Sequence, residues 1–221
     1  MSDAERRFTA VPVEVRAGAD KQMTIGGYAA KFGTRSENLG GFKEQIAPGA
    51  FNFSRSQGWP DVIARYNHDD NRLLGTTAAG TLRLAIDEVG LPYEVDLPQS
   101  RADVYELVQR RDVQKSSFAF ITDEDDWATD DTGFPLRTLI TVRLIDVAPV
   151  NTPAYRDTDS AVRSLAEKFD ADVEEVRSMA AAGELTRFFK RTDGGPAEKP
   201  RRRSAALALS RVAEMDPDLR V

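Results

Sequence analysis

The stretch TLRLAIDEVGLPYEVDLP, residues 81–98, decides the reading of the fold. From Thr81 to Asp87 the alternation puts Leu82, Leu84 and Ile86 on one face of an extended strand. After Gly90 the extended pattern resumes in LPYEVDLP. The two halves predict a β-hairpin turning through Asp87–Gly90.

Upstream the chain reads the same way. Val11, Val13 and Val15 alternate with other residues, and Thr24–Phe32 (TIGGYAAKF) is a second extended run. Gly26 and Gly27 there point to a bulge or to close packing. DVIARY, residues 61–66, is a strand leading into His68. Downstream, Ser117–Thr122 reads as a short apolar strand, and DEDDWATDDTGF (123–134) as an acidic loop with a turn at Asp131–Gly133. Leu136–Val147 is the longest β run. One helix interrupts this pattern at Ser100–Arg111. Ser100 stands at its cap position, Asp103 three residues on, and Val104, Leu107 and Val108 form its apolar stripe.

The character changes after Pro153. Asp159–Phe169 and Asp172–Met179 have helical spacing, TDGGPAEKPRRRS (192–204) has the composition of a linker, and Ala205–Met215 fits a short amphipathic helix. The expected class is therefore α+β: a β-rich barrel with an inserted helix and a helical C-terminal section. Residues 1–157 form the β-rich domain in this reading, 158–191 the helical section, and 192–221 a flexible basic linker and short helix.

Composition narrows the function. Of 221 residues, 41% are hydrophobic, enough to form a core, and the net charge of -6 argues against nucleic-acid binding as the main task. The chain has no cysteine, which excludes disulfides, thiolate zinc sites and a cysteine nucleophile. MSDAERRFTAVPVEV lacks the apolar run of a signal peptide, and no stretch approaches the roughly 20 apolar residues of a membrane span. The expectation is a soluble, intracellular protein.

RYNHDDNRLLG (65–75) holds the only histidine. A lone His is more often a satisfied or surface ring than a catalyst. One imidazole nonetheless suffices as the general base of a serine hydrolase if a serine and an orienting acid lie nearby. KSSFAF (115–120) offers two serines. With Phe118 and Phe120 on the core side, alternation puts Ser116 with them and Ser117 on the opposite face. Two serines at a sheet edge are also ordinary. LIDVAPVNTPAY (144–155) sets Asp146 in an otherwise apolar strand, where a carboxylate requires a partner: an imidazole, or backbone amides in the Pro-rich turn. There is no G-x-S-x-G elbow, so an α/β-hydrolase has no support.

Six segments together carry a resemblance: GYAAKFG (27–33), FKEQIAPGAF (42–51), the NHDD–LG segment (67–75), AGTLRLAIDEVGLPYEVDLP (79–98), SSFAF (116–120) and DVAPVNTPAY (146–155). Their order and spacing resemble the tailed-phage prohead proteases, head-maturation serine proteases similar in fold to herpesvirus assemblins. The resemblance runs from about Ile25 to Tyr155. By motif, the family's histidine falls on His68, its nucleophile on Ser117 and its acid on Asp146, with Ser116 the alternative serine. The family often has Met where this chain has Ser116, and Glu where it has Asp146. Assemblins use a second His as third member, which a chain with one His cannot supply. In this reading His68 faces Ser117 and Asp146 across the barrel, while Asp69 and Asp70 form the turn or face substrate.

The resemblance implies a serine endopeptidase acting through an acyl-enzyme, with no cofactor or metal. It implies scaffold, or the scaffold-like N-terminal part of the major capsid protein, as substrate. Cleavage would take place inside the immature procapsid in the bacterial host cytoplasm. It further implies self-cleavage and leaves contact with the portal and self-association as open options, while the chain's charge and lack of long apolar runs speak against a membrane partner or a specific nucleic acid. The basic segment around Lys199, Arg201, Arg202 and Arg203 is equally a self-cleavage or docking segment and a solvated tail. The rival readings are a non-catalytic capsid-assembly or scaffolding factor on the protease fold, and a non-viral hydrolase or binding module on a similar barrel.

Overall fold

The computed structural model describes residues 4–9, 12–17, 22–151 and 159–190. In chain order its strands are β1 (Glu5–Thr9), β2 (Glu14–Ala17), β3 (Met23–Lys31), β4 (Lys43–Ile46), β5 (Ile63–Arg65), β6 (Leu73–Thr76), β7 (Leu82–Leu84), β8 (Gly90–Asp96), β9 (Lys115–Thr129) and β10 (Pro135–Val150). Its helices are α1 (Asn52–Ser56), α2 (Ala102–Gln109), α3 (Asp159–Phe169), α4 (Val173–Ala182) and α5 (Thr186–Phe189). The class is α+β, with a β-rich core built as two open sheets.

The hairpin read from residues 81–98 is β7–β8. Leu82 pairs with Val95 and Leu84 with Tyr93. Asp87 Oδ1 accepts the N–H groups of Val89 and Gly90 and closes the turn. A Cβ at Gly90 would lie 2.0 Å from the Ala30 carbonyl oxygen, so only glycine fits where β8 meets β3. Gly26 is equally confined, 2.6 Å from the Tyr93 carbonyl oxygen by the same measure. These strands form the sheet β2-β3-β8-β7.

The other sheet runs β1-β9-β10-β5-β6, and β4 also pairs with β10. The long β10 shares its second edge between two short parallel partners, β4 along Leu136–Leu139 and β5 at Asp146–Val147. The main core includes Ile25, Phe51, Tyr93, Phe118, Phe120 and Val147. Burial of such side chains, at about 25 cal/mol per Å² of apolar surface, is the principal force holding the fold.

Two expectations change. The acidic segment 123–129 is no loop: β9 continues through it, paired with β10 up to Thr129. Three of its four acids meet cations from neighbouring elements, Asp123 with Arg143, Asp125 with Arg137 and Asp126 with Lys168, and Trp127 is buried. The turn falls at Asp130–Gly133, with Gly133 at φ 80°. Ser100 does not cap the inserted helix. A 3₁₀ turn at Gln99–Arg101 precedes α2, so the cap position falls on Arg101, and Asp103 bonds Arg72 instead.

Helices α3 and α5 pack on this extended half of β9, and α4 packs on α3. Phe42 meets Trp127 edge-on at 5.0 Å, and Leu165, Val176 and Leu185 complete a second core. Asp172 caps α4 by accepting the N–H groups of Glu174 and Glu175, and Gly183 ends it at φ 71°. The linker 192–204, the helix expected at 205–215 and the end of the DVAPVNTPAY motif lie outside the described residues.

Candidate active site

The site is built on three neighbouring elements of one sheet: β9, β10 and the turn after β5. Along β10, Val142 and Leu144 face the main core, and a regular strand would send residue 146 the same way. The register with β9 shifts between Leu144 and Asp146, leaving Ile145 as the extra residue. This bulge reverses the parity of the strand, so Val147 returns to the core and Asp146 faces the opposite side. Ser117 pairs with Ala148, two residues from Asp146, and so shares its face.

His68 reaches the same face through a tight loop. Asn67 (φ 55°, ψ 26°) and His68 (φ 57°) are both left-handed, a conformation Asn and His adopt more readily than most residues. Tyr66 N–H bonds the Arg72 carbonyl, Asp69 N–H bonds the Tyr66 carbonyl, and Asp69 Oδ1 accepts from Asn71 N–H. Asn67 Oδ1 accepts the N–H of Asn151, which ties the loop to the end of β10 at 3.1 Å. Asp69 is thus a turn former, while Asp70 pairs with Arg65.

These elements bring the three sequence-derived residues together. His68 Nδ1 lies 2.7 Å from Asp146 Oδ1, and His68 Nε2 lies 2.7 Å from Ser117 Oγ. All three side chains are buried. They meet on one face of a single sheet and not across a barrel, because β5 and β9 are the two neighbours of β10 at this level. Ser116 points the other way. Its Oγ lies 3.0 Å from Tyr93 OH, inside the main core.

Sequence reasoning missed two participants. Arg65 Nε donates to Asp146 Oδ2 at 2.8 Å, so this carboxylate is held by an imidazole on one oxygen and a guanidinium on the other. An arginine closing the apolar run VIAR, three residues before the lone His, was the available signal. Burial pushes the Asp146 carboxyl up, but the hydrogen bonds and charges of His68 and Arg65 outweigh it and hold it below the ordinary aspartate value. The second omission is β1. The Arg7 carbonyl oxygen lies 2.7 Å from Ser117 Oγ, and nothing in ERRFT advertises a strand beside Ser117.

The arrangement has the parts of a serine hydrolase: a hydroxyl against an imidazole, and a carboxylate that fixes the opposite ring nitrogen as the proton carrier. A family model described as caudovirus prohead serine protease matches residues 11–171. The chain belongs to that family. Its members are hydrolases of phage capsid maturation, acting in the procapsid within the host. The match spans Arg65, His68, Ser117 and Asp146, and leaves β1 outside it. No curated protein and no solved structure shows a significant match. No helix of the described residues is long and apolar enough to cross a membrane.

Proposed function

We propose that this chain is the active endopeptidase of procapsid maturation and that Ser117, His68 and Asp146 are its catalytic triad. The observation that carries the proposal is the unbroken chain from Asp146 Oδ1 through His68 to Ser117 Oγ, with both links at 2.7 Å. The carboxylate keeps the proton on Nδ1, which leaves Nε2 free to take the Ser117 proton as Oγ bonds the scissile carbonyl carbon. The resulting Nε2–H passes its proton to the leaving amine as the C–N bond breaks. Water then adds to the acyl carbon while giving a proton to Nε2, and the ester bond to Oγ breaks with that proton returned to it. Backbone N–H donors around the oxyanion supply several kcal/mol in such reactions. Arg65 acts as a positioning residue, because it fixes the second oxygen of Asp146.

The substrates in this reading are scaffold or the scaffold-like N-terminal part of the major capsid protein, and the chain itself. The basic segment at Lys199 and Arg201–Arg203, linker-like in composition, is the candidate for self-cleavage. Further copies of the chain and the portal are the remaining partners. The test is co-expression with the major capsid protein of the same phage, followed by intact-mass measurement. The proposal expects trimming by the wild type and by Ser116→Ala, and none by Ser117→Ala. An uncut capsid protein in procapsid-forming cells would favour a non-catalytic assembly factor.

A further inference from the structure

β1 sits where the substrate of such an enzyme would have to bind. Among the described residues it is the edge strand of its sheet and pairs with β9 alone, the strand that carries Ser117. Phe8 is opposite Ser117 in the register, so the Arg7–Phe8 peptide unit lies over the hydroxyl. Ser117 is fully buried. Without β1, β9 would present an unpaired edge directly beside the nucleophile, and such an edge binds extended peptide by strand addition.

The contact is also non-productive. Ser117 has one proton. When Oγ–H donates to the Arg7 carbonyl oxygen, Nε2 can hold Oγ only by donating to it, and an imidazole so protonated on both nitrogens cannot act as a base. A productive peptide shows its carbonyl carbon to Oγ and turns its oxygen toward oxyanion donors, whereas Arg7 turns its oxygen to the hydroxyl.

β1 is held by side chains and not by backbone pairing alone. Glu5, wholly buried, accepts from Arg137 Nη1 at 2.7 Å and from Arg7 Nη2 at 2.7 Å. Arg137 also bonds Glu44 and Asp125, at 3.0 and 2.6 Å. At the other end, Thr9 Oγ1 donates to the Tyr28 carbonyl at 2.7 Å.

We infer that the β9 edge beside Ser117 is a binding site for an extended peptide, that β1 is its built-in, non-productive occupant, and that Arg137 reads an acidic side chain two residues before the carbonyl facing the nucleophile. Substrate must displace β1, so the strand holds the enzyme closed until a competing chain takes its place. The inference rests on the proposed role of Ser117.

A fluorescein-labelled peptide with the sequence of residues 4–10, AERRFTA, tests it by polarisation on full-length chains. Two variants loosen opposite ends of β1: Glu5→Gln at the ion cluster and Thr9→Val at the hydroxyl. Both should bind the peptide at least 10-fold more tightly than the wild type. A peptide with Gln for its Glu should lose most of that gain. Thermal melts identify any variant that fails to fold, and Thr9→Val, which deletes one hydroxyl, serves if Glu5→Gln does. Equal affinity for wild type and the folded variants, or indifference to the peptide's Glu, overturns the inference. A fluorophosphonate probe separates it from the catalytic proposal: peptide capture by the loosened chains without labelling of Ser117 supports the strand site and sinks the nucleophile.

Discussion

Ser116 and Ser117 are adjacent in sequence and bonded on opposite faces of β9, one to Tyr93 OH and the other to His68 Nε2. Strand alternation separates them completely, so their substitutions have different consequences. Ser117→Ala should reduce peptide cleavage by about 10⁴-fold or more in a chain that still folds. Ser116→Ala leaves Tyr93 OH without its partner in the core and should cost about 1–3 kcal/mol while keeping activity. Cleavage assays paired with denaturant titrations distinguish the two.

Asp146→Asn keeps the shape but loses the acceptor that fixes the Nδ1–H tautomer. Cleavage should fall by roughly 10⁴-fold. Arg65→Gln should act through Asp146 and lower kcat by a smaller factor, about 10–100-fold, with KM nearly unchanged. A shift in the pH–rate profile of Arg65→Gln, absent from an exposed control such as Arg110→Gln, would mark Arg65 as a positioning residue. An unmoved profile would leave it a structural role only.

Arg137 is wholly buried among Glu5, Glu44 and Asp125. Burial opposes its charge, but the surrounding carboxylates outweigh that and raise its pKa further. Arg137→Met removes the cation and strands buried carboxylates, at a cost of about 3–5 kcal/mol. Urea titration measures it. A loss below about 1 kcal/mol would show the cluster to be dispensable.

Glu5 carries a pH dependence. Burial raises its pKa, and the charges and bonds of Arg137, Arg7 and Thr122 lower it by more, so the folded value is depressed. Asp146 is depressed likewise. Below about pH 4 the unfolded chain binds these protons more readily than the folded one, so stability is full above that range and falls as pH drops through it. Glu5→Gln should flatten the fall in stability below about pH 4.5. Identical curves would mean that Glu5 contributes nothing to it.

Gly90→Ala should fail to pair β8 with β3, because its Cβ would stand 2.0 Å from the Ala30 carbonyl oxygen. Loss of soluble folded protein is the expected result, and a normal melt would refute the packing.

The β7–β8 hairpin was legible because alternation and the Asp87–Gly90 turn are local signals. So was the face of Ser117, which follows from Phe118 and Phe120. The acidic half of β9 was not, since Asp123, Asp125 and Asp126 find their cations on other elements and composition shows only the charge. The bulge at Ile145 decides where Asp146 points, yet a bulge is a property of two paired strands, and LIDVA read alone implies unbroken alternation. The roles of Arg65 and β1 rest on partners dozens of residues away; VIAR before the lone His hinted at the first, and nothing local hinted at the second.

The most direct test of the central claim is peptide mapping after prolonged exposure of the full-length chain to a fluorophosphonate. The account predicts one adduct, on Ser117, formed at a rate that collapses in His68→Ala. An adduct on Ser116, or labelling of Ser117 undiminished without His68, would contradict it.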